Sequence, residues 1–168
     1  MQRKDLPAAA ELYERALVIA EKANGPKHPS LAVILTGLGE ARRNLGDRNA
    51  ARIAYMRALA IFRAGGEGES ERDATLRGLG NLALESGDLK QARARFRDVL
   101  EYQEKLYRGA DHPRLVRSLL GMGKVHLAEG KPDEARPLLE RALRIAEGTT
   151  VDLDLIAEVR AALAKATR

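Results

Sequence analysis

The sequence predicts an all-α fold, a solenoid of antiparallel helix pairs, and two observations support this prediction. The first is an internal repeat, in which nine positions match in three successive copies separated by 41 and then by 43 residues. The second is that apolar residues recur at helical spacing before and after a glycine turn in each copy. Repeats of this length and pattern are typical of stacked helix pairs.

The matched positions identify the same two helices in each copy. The first copy contains Leu35, Leu38, Gly39, Gly46, Asp47, Ala51, Tyr55, Ala58 and Leu59; the second contains Leu76, Leu79, Gly80, Gly87, Asp88, Ala92, Phe96, Val99 and Leu100; the third contains Leu119, Met122, Gly123, Gly130, Lys131, Ala135, Leu139, Ala142 and Leu143. Residues before the glycine turn form the first helix of a pair, helix A. Residues after it form the second, helix B.

Small and large residues recur at fixed positions of helix A and helix B in each copy, and we call each set of matched positions a column. Helix A carries a glycine at Gly39, Gly80 and Gly123, and helix B carries an alanine at Ala51, Ala92 and Ala135 and a large side chain at Tyr55, Phe96 and Leu139. A glycine costs a helix about 1 kcal/mol relative to alanine, so we expect these glycines to allow helix B and its alanine to approach closely. The large side chains, which we call the knobs, are expected to fill the space between neighbouring pairs.

The chain contains three full repeats between two half repeats, within one domain of residues 1–168. The half repeat 5–24 is a helix B alone, the three repeats occupy 29–64, 71–108 and 113–147, and a C-terminal capping helix covers 152–166. The helices of the repeats are predicted at 29–45 and 49–64, at 71–86 and 89–108, and at 113–129 and 132–147. The capping helix stands in the place of a fourth helix A without its Leu-Gly pattern, as terminal elements of a solenoid often do.

The first predicted helix has no helix A before it. Its residues Ala9, Tyr13 and Leu17 match the helix B columns, and without a partner they would leave an apolar face partly uncovered. We therefore expect Met1 to be a boundary within a longer protein. The alternative is that this helix caps the stack unaided.

These columns resemble the tetratricopeptide repeat. The segment Leu12–Leu17 and the turns at 25–29 and 109–113 are more narrowly similar to the kinesin-light-chain variety. The resemblance implies a right-handed superhelix of antiparallel helix pairs, whose stacked A helices line a concave peptide-binding groove. That variety tends to carry Asn where this chain has Gly37, Gly78 and Gly121.

Composition limits the other function classes. The chain has no cysteine, which excludes disulfides and thiolate metal sites. It has no apolar run long enough for a signal peptide or a membrane span, so we expect a soluble, cytoplasmic protein without a membrane partner. The net charge of +5 is spread over alternating basic and acidic residues. The one-sign stripe with interleaved aromatics that favours nucleic-acid binding is missing, so no nucleic acid partner is expected.

No group of residues indicates catalysis, a cofactor or a metal site. His28 and His112 precede prolines at the beginnings of two helices, and His126 lies in the column of Arg42, without acidic residues at ligand spacing. The Gly-x-Gly pairs lack the preceding strand and the longer glycine spacing of a phosphate loop. We predict a protein that is not an enzyme and binds no cofactor.

The predicted binding site is the open face of the A helices. This face is formed in turn by Val33, Thr36, Glu40 and Asn44, by Ala74, Arg77, Asn81 and Glu85, and by Arg117, Leu120, Lys124 and Ala128. The predicted peptide contacts are Thr36, Glu40, Asn44, Arg77, Asn81, Glu85, Arg117, Leu120 and Lys124. The glycines Gly37, Gly78 and Gly121 border the face and are expected to widen it, so that a ligand backbone can approach.

The function favoured by these patterns is a non-enzymatic scaffold that binds a peptide or a partner helix in the concave groove, as a module of a larger intracellular, bacterial signalling protein. We expect an acidic ligand, because Arg77, Arg117 and Lys124 can form charge-assisted bonds with carboxylates. Asn81 can bond both backbone groups of a peptide. The alternative is a structural self-association module, a homo-oligomer formed through the N-terminal helix.

Overall fold

The computed structural model of the protein describes residues 5–65, 68–149 and 152–167. Within these residues the chain forms eight α-helices and no β-strand. The helices are α1 Leu6–Asn24, α2 Ser30–Asn44, α3 Arg48–Arg63, α4 Glu69–Glu85, α5 Leu89–Leu106, α6 Leu115–Ala128, α7 Pro132–Glu147 and α8 Leu153–Ala166. Each predicted helix boundary lies within two residues of the observed one, and the all-α fold class is confirmed.

In the first two repeats, the glycine turn ends helix A and the following aspartate starts helix B, and each has its own physical reason. Gly46 and Gly87 have φ angles of 85° and 78°, in the left-handed region that favours glycine after a helix. The carboxylates of Asp47 and Asp88 then accept hydrogen bonds at 3.1 and 3.0 Å from the backbone N–H groups three residues on. These bonds satisfy donors that would otherwise have no partner at the start of a helix.

The chain divides into two compact units, residues 1–82 and 83–168, and the division falls within α4. In the N-terminal unit, α1 packs on α2 and α2 packs on α3. Their shared apolar core contains Ala10, Leu31, Ala32, Leu35, Leu38, Ala41, Ala54, Ala58, Ile61 and Phe62. Helix α2 therefore lies between the two B helices of this unit.

In the C-terminal unit, α5 packs on α6, α6 on α7, and α7 on α8, and α8 also contacts α6. The main core contains Leu115, Leu119, Leu139 and Val159, all almost completely buried. Helix α8 thus covers both helices of the last repeat, in the position that a fourth helix A would take.

The first glycine column makes room for the knob of its own repeat. A Cβ atom added at Gly39 would lie 2.7 Å from ring carbons of Tyr55, and one added at Gly123 would lie 2.6 Å from a methyl group of Leu139. Helix B does approach closely at these glycines, as expected. What comes nearest is the knob, however, and not the small alanine that we expected there.

The second glycine column makes room for the knob of the preceding helix B. An added Cβ at Gly37 would lie closer than 3.0 Å to Tyr13, and one at Gly78 equally close to Tyr55. Gly121 stands in the same relation to Phe96. The expectation that these glycines widen a ligand groove is therefore wrong, because an aromatic side chain of the protein already covers each of them.

Tyr55 shows how the two columns act together. Its ring lies between Gly39 of its own helix A and Gly78 of the next, and the residue is 2% exposed. The prediction that the knobs fill the space between neighbouring pairs is confirmed for this residue.

Ion pairs attach the turn between α5 and α6 to α7. The guanidinium group of Arg141 donates to Asp111 at 2.8 Å and also pairs with Glu104, while Arg144 donates to Asp111 at 3.3 Å. The hydrogen bond from Arg141 is the main reason that the pKa of Asp111 lies below its usual value. The ionised form of Asp111 therefore favours the folded state.

This arrangement predicts a small loss of stability in acid. Because the pKa of Asp111 is lower in the folded chain than the value of about 3.9 in an unfolded one, its contribution is present above about pH 4 and is lost as the pH falls below it. Asp111→Asn should therefore flatten the fall of the unfolding free energy between about pH 5 and 3, measured by urea titration. Asp133→Asn, which changes a carboxylate with 89% of its side chain exposed, is the control. Equal pH profiles for the two variants would contradict the prediction.

Candidate functional site

The predicted contact residues differ widely in exposure. Glu40, Asn44, Glu85 and Arg117 are exposed, Arg77, Asn81 and Lys124 are partly buried, and Thr36 and Leu120 are buried. The exposed and partly buried residues keep side-chain surface that a ligand could contact. The prediction that Thr36 and Leu120 contact a ligand has to be corrected, because both are buried.

Thr36 connects two A helices. Its hydroxyl group donates to the carbonyl oxygen of Ala32 at 2.7 Å, and its Oγ1 lies 2.6 Å from the Oγ1 of Thr75, in a hydrogen bond for which either hydroxyl can be the donor. Thr75 is fully buried on α4, so the column of Thr36 lies where α2 and α4 meet. Leu120, in the same column of its own repeat, belongs to the apolar core of the C-terminal unit. Neither residue can bind a ligand, so both leave the candidate surface.

An open groove of about 570 Å³ lies on the C-terminal unit. It is lined by Leu84 from α4, by Lys124, Leu127 and Ala128 from α6, and by Glu158, Ala161, Ala162 and Lys165 from α8. These three helices are the last two A helices and the helix in the place of a fourth. The groove therefore lies on the side formed by the A helices, and Lys124 is the one predicted contact among its lining residues.

Sequence reasoning missed the wall formed by α8. We treated this helix only as a cap because it lacks the Leu-Gly pattern. Its position as a fourth helix A was the signal that could have identified it, since its open face continues the face of α6. Glu158 and Lys165 are seven residues apart, two helical turns, and therefore lie on the same side of α8.

The groove combines an apolar floor with separate charges. Leucine and alanine side chains form the floor, and the ammonium group of Lys124 pairs with the carboxylate of Glu158 across it. Lys165 is exposed, and within residues 5–65, 68–149 and 152–167 it makes no ion pair. An apolar ligand side chain beside a carboxylate fits these features, because the floor can bury the first and Lys165 can bind the second.

The histidines have structural partners. The Nδ1 atoms of His28 and His112 each accept a hydrogen bond at 3.2 Å from a backbone N–H two residues on, at the beginnings of α2 and α6. The Nδ1 atom of His126 lies 3.0 Å from Glu134. Among the described residues, no three His, Cys, Asp or Glu side chains form a group that could hold a metal ion.

In that same part of the chain, no helix combines the length and the apolar character needed to cross a membrane.

Comparison with solved structures shows that this chain is similar in fold to kinesin-light-chain-like repeat proteins. A crystal structure of BtubC (BKLC) from P. vanneervenii matches with a TM-score of 0.73 and 26% identity over 86% of this chain. The chain spans 58% of the length of that structure. The putative kinesin light chain of Podosopora anserina, with nearly identical TPR-like repeats, matches 98% of this chain at a TM-score of 0.75 and 24% identity, over 79% of its own length. A crystal structure of a variant of that protein gives a TM-score of 0.76.

Family comparison agrees with the structures. No curated protein matches the chain. The family model of the tetratricopeptide repeat, in contrast, matches residues 1–64 and 71–148, which include all three full repeats. The predicted resemblance, including its kinesin-light-chain character, is confirmed, and the chain belongs to the tetratricopeptide repeat family.

Proposed function

We propose that this protein is an interaction module that binds a peptide, or a helix of a partner protein, on the open face of its A helices. Tetratricopeptide repeats generally mediate protein–protein interaction, and kinesin-light-chain-like members are typically non-enzymatic scaffolds. The observation that supports this function most directly is the groove between α4, α6 and α8. Its volume lies within the range of about 300–1,000 Å³ that is usual for binding sites.

The charges around the groove favour a ligand with acidic character. Lys165 offers three N–H donors to a carboxylate, and such charge-assisted bonds are about twice as strong as neutral ones. Lys124 is already paired with Glu158, so a ligand carboxylate must share it. We therefore expect an apolar side chain next to an acidic residue in the bound segment.

We also propose that the module acts within a larger intracellular, bacterial signalling protein, which the full reading frame of its gene would test.

A peptide selected on this chain would test the groove. The probe is the tightest binder from a phage-displayed random peptide library, labelled with fluorescein and measured by fluorescence polarisation. Ala128→Arg, at an exposed position of the groove wall, should weaken binding at least about tenfold by filling the groove, since tenfold corresponds to about 1.4 kcal/mol. Lys165→Glu should weaken the binding of an acidic peptide by a similar factor, because it replaces attraction between opposite charges with repulsion between like charges.

The control for charge is Lys90→Glu, an equal change at an exposed position in the first turn of α5. It should leave the affinity unchanged. Arg117→Glu tests whether the ligand extends beyond the groove. If Ala128→Arg and Lys165→Glu both bind the selected peptide like the unmodified chain, the groove is not the binding site.

Self-association through α1 is a second candidate. The observation that favours it is the exposure of large apolar side chains on this helix, including Leu12 and Ile19. Multi-angle light scattering at increasing protein concentration would detect a dimer. A chain that stays monomeric at high concentration would remove this candidate.

A further inference from the structure

Three charged residues line the groove between α4, α6 and α8, and two of them neutralise each other. The ammonium group of Lys124 on α6 pairs with the carboxylate of Glu158 on α8. The third charge is Lys165, which is exposed and has no ion pair among the described residues. The groove therefore offers one cation directly to a ligand and keeps a second one occupied.

The two lysines lie at different places along the groove. Glu158 and Lys165 are seven residues apart on α8, which is about 10 Å along a helix, and Lys124 lies beside Glu158. Between them in sequence, Ala161 and Ala162 also line the groove. A bound segment can therefore meet the two lysines with two different residues.

The pair between Lys124 and Glu158 is not required to position α8. Four apolar side chains of α8 are buried in the main core of the C-terminal unit, namely Leu155, Val159, Ala162 and Ala166. A second ion pair, between Glu147 and Arg160, attaches α8 to the end of α7. These contacts do not involve Glu158, so its carboxylate is available for a role in the groove.

The carboxylate of Glu158 competes with any ligand carboxylate for Lys124. A ligand carboxylate that approaches this lysine also approaches Glu158, and like charges placed side by side oppose binding. At Lys165 the described residues provide no such competitor. The groove therefore favours a ligand carboxylate at Lys165 and disfavours a second one at Lys124.

We propose that Glu158 determines which ligands the groove accepts: by keeping Lys124 occupied, it selects a segment with a carboxylate at Lys165 and a neutral residue at Lys124. This role of Glu158 rests on the proposed function of the groove. The side chains of Lys124 and Glu158 are 36% and 48% exposed, so water weakens the interactions between these charges. The discrimination is therefore a few-fold difference in affinity.

A glutamate scan of the phage-selected, fluorescein-labelled peptide tests this role. Each peptide position that is not already acidic is changed in turn to glutamate and, as its neutral match, to glutamine. On the unmodified chain no scanned position should prefer glutamate by more than about twofold. On the Glu158→Gln chain at least one position should prefer glutamate by about three- to fivefold, as expected for a new pair between partly exposed charges.

Two controls assign this gain to Lys124. In a chain that carries both Lys124→Gln and Glu158→Gln, the preference for glutamate should disappear, because no ammonium group remains at that place. Glu147→Gln removes an equal charge from the other ion pair of α8, outside the groove, and should leave the scan as it is on the unmodified chain. Circular dichroism would check that each variant keeps its helices.

The results separate the role of Glu158 from the function of the groove. If Ala128→Arg weakens binding of the selected peptide but no position gains a preference for glutamate on the Glu158→Gln chain, the role of Glu158 is overturned and the groove is retained. A gain that persists without Lys124, or an equal preference on the unmodified chain, would also overturn it. If Ala128→Arg leaves binding unchanged, the groove and the role of Glu158 fail together.

Discussion

Tyr55→Ala is expected to lower the free energy of unfolding by about 3–5 kcal/mol, the usual cost of truncating a buried aromatic side chain. The ring is almost completely buried between Gly39 and Gly78, so its removal leaves a cavity that two glycines cannot fill. Tyr13→Ala removes the same atoms from a ring with only one glycine contact and 38% exposure. Tyr13→Ala should lower the free energy of unfolding by no more than about half as much, because the ring of Tyr13 buries less apolar area when the chain folds.

The two variants can be compared by urea unfolding followed by circular dichroism. Because both residues are tyrosines in the N-terminal unit, the comparison isolates the second glycine contact and its burial. Similar losses of stability for the two variants would contradict the prediction. They would mean that the ring of Tyr13 is as fully packed in solution as that of Tyr55.

Gly121→Ala is expected to destabilise the chain by about 1–3 kcal/mol, the usual cost of overpacking a core. Helix propensity alone would predict the opposite sign, since alanine favours a helix over glycine by about 1 kcal/mol. The packing effect should dominate because the added Cβ would lie closer than 3.0 Å to Phe96. Phe96 is itself 1% exposed and cannot move away without disturbing its own neighbours. The thermal midpoint and urea stability would both report the loss.

A double-mutant cycle provides the control. In a chain that carries Phe96→Ala, the space beside Gly121 is empty, so adding Gly121→Ala should cost much less or become stabilising. An unchanged cost in that background would show that the glycine is needed for some reason other than the knob. The cycle thus tests directly whether this glycine column serves packing between repeats.

The helices could be predicted from the sequence because the signals for them are local and repeated. Gly46 with Asp47 and Gly87 with Asp88 end one helix and start the next through bonds between residues a few positions apart. The same pattern in several copies separates it from chance. The knobs could be identified for a similar reason, since one large residue recurs in one column of helix B.

The candidate site was predicted less well, because it depends on contacts between residues a whole repeat apart. Thr36 has the spacing of a surface residue, but its hydroxyl group lies against Thr75 on the next helix A. Gly37 borders the A-helix face by sequence, but the ring of Tyr13 covers it. Helix spacing alone does not say how near the neighbouring helix comes.

The sequence by itself determined the kind, number and order of the predicted helices, the turns between them and the knob in each pair. These features follow from hydrogen bonds and apolar spacing within one repeat. Only the tertiary structure decided which knob each glycine faces and which groove residues stay open. Those features depend on how closely successive helices pack, and that distance is set by the side chains of both neighbours together.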